Sequence, residues 1–169
     1  KQIPYGTTNY EELITENYYY VDKTMYLEQL EKAGKKLVYL RPRRFGKTLF
    51  TSMMSYYYDI NAKDEFETLF KGTYVYDHPT PNKNSYYILK FDFSALNSSN
   101  TNEAIEKAFS EVVVESLKDF VKRYNLTINE DDVYNKSTVT NIMRSFFTSL
   151  NQDIKVYIII DEYDNFTNS

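Results

Sequence analysis

Apolar residues along this chain recur with two different periods. Leu49, Phe50, Met53, Met54, Tyr57 and Tyr58 fall on one stripe of a helix, with the methionine pair filling a core. The same period runs through Ala104, Ile105, Ala108, Phe109, Val112, Val113, Leu117, Phe120, Val121 and Tyr124 and predicts a long helix. Asn100 with Glu103 three residues on resembles a capping box at its start, and Asn125 ends it. Val139, Ile142, Met143, Phe146, Phe147 and Leu150 predict another helix. Shorter helices are expected at 10–16, at 24–33 where Gly34 stops the pattern, and at 64–70. Residues 18–21 read as extended, and a Pro/Asn-rich loop follows residue 70.

Three runs lack the helical period. Residues 36–40, 86–93 and 156–160 are apolar and rich in Val, Ile, Leu, Tyr and Phe, which suits strands of a parallel sheet, with 156–160 as a central strand buried on both faces. Strand, helix, strand, helix, strand predicts an α/β fold with helices on both faces of a mostly parallel sheet. No internal repeat, low-complexity tract or linker interrupts the pattern, so one domain is expected.

Composition sets limits on this picture. A chain of 169 residues with 42% hydrophobic content can bury a core, and no stretch is long or apolar enough to span a membrane. No signal-like segment opens it, so the expected compartment is cytoplasmic. There is no cysteine, which excludes disulfides and thiolate metal sites. The single histidine, His78, lies in an Asp77-His78-Pro79-Thr80-Pro81 turn, the setting of a surface residue. A net charge of −4 argues against a generally basic nucleic-acid binder. The 18 tyrosines include Tyr18-Tyr19-Tyr20 and Tyr56-Tyr57-Tyr58, and without interleaved basic residues these read as core and rim.

The chemistry concentrates after two of the strands. Arg41-Pro42-Arg43-Arg44-Phe45-Gly46-Lys47-Thr48 joins the 36–40 run to the first long amphipathic helix. A phosphate loop needs a strand, a turn whose N–H groups curl round an anion, and a helix N-terminus. In that reading Arg43, Arg44, Phe45, Gly46, Lys47, Thr48 and Leu49 surround the phosphates of ATP. Lys47 reaches the β- and γ-phosphates, and the Thr48 hydroxyl ligates Mg²⁺. The match to GxxxxGK[ST] is incomplete, since Arg41 replaces the first glycine, and an ordinary helix start after a strand is the plainer alternative. At the other end Val156-Tyr157-Ile158-Ile159-Ile160 runs into Asp161-Glu162, a Walker B pattern. Asp161 would hold Mg²⁺, and Glu162 would deprotonate the attacking water. A buried strand followed by a solvated acidic turn is the alternative. Three of the five arginines, Arg41, Arg43 and Arg44, lie in the loop, where they would neutralise a triphosphate or contact DNA phosphates.

Together these features predict a P-loop NTPase three-layer sandwich. The chain also resembles the AAA-ATPase-like proteins of bacteria and archaea, often joined to a C-terminal PD-(D/E)XK nuclease-like domain. The resemblance rests on Tyr20-Val21-Asp22-Lys23-Thr24, the Arg41 to Leu49 loop, Phe91-Asp92-Phe93-Ser94 and Ile160-Asp161-Glu162-Tyr163-Asp164. It implies that the missing glycine is normal, that residues 20–24 neighbour the adenine or serve structure alone, and that 1–169 is the N-terminal portion of one such domain, incomplete at its C-terminus. It further implies that a strand following 169 inserts between 37–40 and 157–160. Without it the slot is filled from outside or by a swapped strand, or the sheet collapses; direct pairing of the two would speak against insertion.

The expected function is an ATP-binding and Mg²⁺-dependent ATP-hydrolysing module controlling an attached effector, by resemblance a nuclease acting on DNA, with oligomerisation open. The alternatives are a non-hydrolysing nucleotide-binding scaffold and a nucleic-acid-binding domain. Catalysis falls to Glu162 and Lys47, with Asp164 next in line should Glu162 prove dispensable, and metal binding to Thr48 and Asp161.

Overall fold

Asn9 opens the first helix, α1 (Tyr10–Thr15), by accepting the N–H groups of Glu11 and Glu12 on its side chain. The computed structural model describes residues 1–38, 40, 45–94, 96 and 101–163, and two units emerge, Lys1–Tyr86 and Tyr87–Ser169.

In the first unit α1 is followed by α2 (Tyr26–Ala33), which Gly34 ends at φ 121°, and α3 (Lys47–Tyr58), which buries Phe50, Met53, Met54, Tyr57 and Tyr58 of the predicted stripe and leaves its first residue, Leu49, half-buried. Two short helices, α4 (Phe66–Phe70) and α5 (Tyr74–Asp77), complete it. Aromatic rings make the core: Phe70 meets Tyr10 at 5.2 Å and Tyr57 at 5.5 Å between centroids. The Tyr10 hydroxyl donates to the Leu69 carbonyl, and its N–H to Ser52 Oγ, which ties α1 to α3 and α4. The Glu31 carboxylate gathers three neutral donors, Tyr58 Oη at 3.1 Å, Thr80 Oγ1 at 2.6 Å and Asn82 Nδ2 at 2.9 Å, and so fixes the C-terminal end of α3 to α2.

The strand predicted at 36–40 does not form. Residues 36–38 and 40 are irregular, with Val38 75% and Leu40 71% exposed; Tyr39 lies outside the described residues. A strand exists only through its ladder, and among the described residues none pairs with this run. The loop predicted after residue 70 is interrupted by α5.

The second unit is built on two parallel strands, β1 (Tyr87–Asp92) and β2 (Val156–Asp161), in the register Tyr87↔Val156 to Asp92↔Asp161. The long helix α6 (Asn102–Arg123), α7 (Glu130–Tyr134) and α8 (Val139–Ser149) supply the rest of its core. Leu89 and Phe91 of β1 pack with Val113, Leu117 and Phe120 of α6 and with Ile142 and Phe146 of α8. The cap of α6 is Thr101, whose Oγ1 accepts the Ala104 N–H; Asn100, the predicted cap, lies outside the described residues. Ala104 is exposed, so the inward face begins later than predicted. The Tyr124 hydroxyl accepts the Ile88 N–H at 2.7 Å and covers part of the outer edge of β1.

β2 departs from the prediction of a strand buried on both faces: Ile158 and Ile160 are 43% and 52% exposed. The helices cover Leu89 and Phe91 and stop short of their β2 partners. The described residues therefore give a mixed α/β structure with a two-stranded parallel sheet, smaller than the sandwich read from the sequence. Among them no helix is long and apolar enough to cross a membrane.

Candidate functional site

The predicted site residues fall in two groups, one in each unit. Gly46, Lys47, Thr48 and Leu49 sit together at the start of α3. Gly46 has φ 75°, the left-handed region that disfavours any side chain, and a Cβ there would meet nothing within 4 Å, so backbone conformation selects glycine. Its carbonyl accepts the Phe50 N–H at 2.9 Å, which starts the helix. Among the described residues no side chain caps this end. The first-turn N–H groups have no carbonyl four residues back within the helix, and they carry the positive end of its dipole. Phe45 is exposed beside them. Arg41, Pro42, Arg43 and Arg44 lie outside the described residues.

Asp161 and Glu162 end β2, at the carboxyl edge where parallel sheets bind ligands. Asp161 is buried, with 6% exposure, and its Oδ1 accepts the Glu162 N–H at 3.1 Å. Its backbone carbonyl accepts the Phe93 N–H, which extends the ladder by one bond. Glu162 adopts φ 54°, a left-handed conformation that costs a non-glycine residue on the order of 1 kcal/mol. Neighbouring Asp92 is exposed, and its Oδ1 accepts the Ser94 N–H at 2.9 Å. Asp164 lies outside the described residues.

The Tyr20 to Thr24 motif makes structural contacts. Asp22 accepts the Thr24 N–H on Oδ1 at 2.8 Å and the Tyr74 N–H on Oδ2 at 2.7 Å. Thr24, fully buried, accepts the Val75 N–H on its hydroxyl. The motif thus caps α5 from a distance in sequence, and Tyr20 packs edge-on against Tyr10. The His78 ring lies tilted beside Tyr74, 4.8 Å between centroids. Among the described residues no group of three or more His, Cys, Asp or Glu side chains gathers to hold a metal.

A glycine-opened, side-chain-uncapped helix start and an acidic strand end, in a mixed α/β chain, are features of a nucleotide-binding class. The chain belongs to the family described as predicted AAA-ATPase, which matches residues 4–169 and supports nucleotide binding. It is also similar to an "Uncharacterized protein in vnfD 5'region" of Azotobacter chroococcum mcd 1, with 37% identity over 78 residues, 46% of this chain and 14% of that protein. The chain therefore spans well under two thirds of that relative. No solved structure matches.

Proposed function

We propose that this chain binds ATP at the start of α3 and, with Mg²⁺, hydrolyses it, so that nucleotide state controls an attached effector; the effector class we favour is a nuclease acting on DNA. The observation that carries the reading is the start of α3: a left-handed Gly46, no side-chain cap, then Lys47 and Thr48, in a chain of the predicted AAA-ATPase family. An uncapped helix N-terminus preceded by a glycine turn is a ready anion site, and a lysine at the first position adds a full charge.

Thr48 and Asp161 offer hydroxyl and carboxylate oxygens, the hard donors Mg²⁺ takes, and would hold it. When bound, the ion neutralises charge on the terminal phosphates. Lys47 donates to the phosphate oxygens, and Glu162 orients a water molecule and accepts its proton. The left-handed turn at Glu162, tied back to Asp161, fixes the departure of its side chain from the strand end.

The test is calorimetric titration of ATP into the protein and Lys47→Ala. Loss of binding in the variant, with an unchanged melting profile, supports the reading. Unchanged affinity ends it.

A further inference from the structure

The outer edge of β2 is open and complementary to itself. Tyr87 donates its N–H to the Lys155 carbonyl and Phe93 to the Asp161 carbonyl, so the odd-numbered residues of β2 turn their backbone groups toward β1. Val156, Ile158 and Ile160 therefore turn theirs away, one N–H and one C=O each, and among the described residues no strand pairs with them. Their side chains share the face that the helices cover over β1 and leave uncovered over β2, where Ile158 and Ile160 are exposed. Beside them runs a groove of about 570 Å³ lined by Phe147, Leu150, Ile154, Val156 and Ile158. All of these residues belong to the second unit.

Proteins blunt such edges with a lysine or proline in the strand, and Val156–Ile160 contains neither. Charge selects what the edge accepts. Exposed Lys155 precedes the outward residues, and Asp161 and Glu162 follow them. A second β2 laid antiparallel sets each Lys155 at the acidic end of the other copy, whereas a parallel one would set like charges together. A twofold axis at Ile158 gives the register that uses every outward group. Ile158 then exchanges both hydrogen bonds with Ile158 of the copy, and Val156 does so with Ile160 of the copy, on both sides of the axis. Sliding by two residues leaves Val156 or Ile160 of each copy without a partner inside the strand. Opposite side chains lie on one face, so Ile158 and Ile160 of each copy meet Ile158 and Val156 of the other beside the groove.

We propose that two copies of this chain associate through β2, antiparallel about a twofold axis at Ile158, and join their two sheets into one. The chain contains no cysteine, so single-cysteine variants report the register directly. In the dimer residue 158 faces its own counterpart in a hydrogen-bonded pair, with Cα atoms about 5.5 Å apart, inside the range of a disulfide. Residues 156 and 160 each lie about 14 Å along the strand from theirs. A seam of one strand pair is small and its dimer weak, so sedimentation of the wild-type chain is followed up to about 1 mM. Mild oxidation of Val156→Cys, Ile158→Cys and Ile160→Cys then gives three crosslinking rates. A wild-type dimer, together with crosslinking of Ile158→Cys faster than the other two by about tenfold or more, supports the proposal. Equal rates in the three variants overturn it, since they report collision without a register. A wild-type chain that stays monomeric up to about 1 mM also overturns it and leaves the edge to another segment or another protein.

Discussion

Replacing Asp22 by alanine decides whether the Tyr20 to Thr24 motif serves structure or the adenine. The substitution deletes two charge-assisted acceptors, at 2.8 Å for the Thr24 N–H and 2.7 Å for the Tyr74 N–H. Hydrogen bonds to charged groups contribute about 1.5–3 kcal/mol each. The Tyr74 N–H is exposed and recovers water, so it counts for little, while the Thr24 N–H is half-buried and loses most of its bond. The expected loss is about 2 kcal/mol. With a urea m-value of about 2 kcal/mol per molar, the unfolding midpoint should fall by about 1 M. Asp22→Asn keeps one acceptor and should lose about half as much. Circular dichroism in urea measures the midpoint, and calorimetry measures ATP affinity under folding conditions. A midpoint unchanged in Asp22→Ala together with weakened ATP binding would refute the structural assignment and return the motif to the base.

Glu162→Gln should bind Mg-ATP like the wild type and hydrolyse it about a hundredfold more slowly, measured by phosphate release in a polypeptide that turns over; equal turnover would move the base elsewhere. Tyr134 carries a buried hydroxyl with no hydrogen-bond partner among the described residues, so Tyr134→Phe should leave urea stability unchanged or raise it by about 1 kcal/mol. A loss of that size would show that the hydroxyl has a partner in solution. Burial raises the phenol of Tyr20 to about 12, and burial with the Glu11 hydrogen bond does the same for Tyr56, while burial pushes Tyr10 further up. These groups stay neutral in the fold, so their contribution is complete below the unfolded value near 10 and is lost as pH climbs through 12. The phenolate absorbance of these three, read as the difference between the wild type and a Tyr10→Phe/Tyr20→Phe/Tyr56→Phe variant, should therefore appear only together with loss of circular dichroism; a difference that titrates near 10 with the fold intact would contradict the burial.

The helices were legible because their signals are local. The α3 stripe needs only the 3.6 period, and five of its six predicted residues are buried, Leu49 being half-buried. The run at 36–40 has the composition of a strand, but a strand requires a partner supplied from elsewhere, and composition does not name one. Helix α5 was invisible because its cap comes from Asp22, a residue far away in sequence. At the site, the pairing of Gly46 with Lys47 and Thr48, and of Asp161 with Glu162, could be read directly. The left-handed turn at Glu162 and the alignment of Asp92 with Asp161 could not, since each depends on how β1 and β2 meet.

The register of those two strands also sets an order of events in time. Tyr87 meets Val156 across 156 − 87 = 69 positions, and closing a chain segment of that length costs about 4 kcal/mol in entropy before any ladder bond forms. Helices α6 and α8 can form and dock first, shortening the gap, so the sheet should close late and slowly for a unit of this size. At ribosomal rates of about 5–20 residues per second, β1 waits roughly 3–14 s for its partner to be made. Throughout that interval Ile88, Leu89 and Phe91 lie beside an unfilled ladder, so the nascent chain is most prone to aggregation between the synthesis of α6 and that of β2.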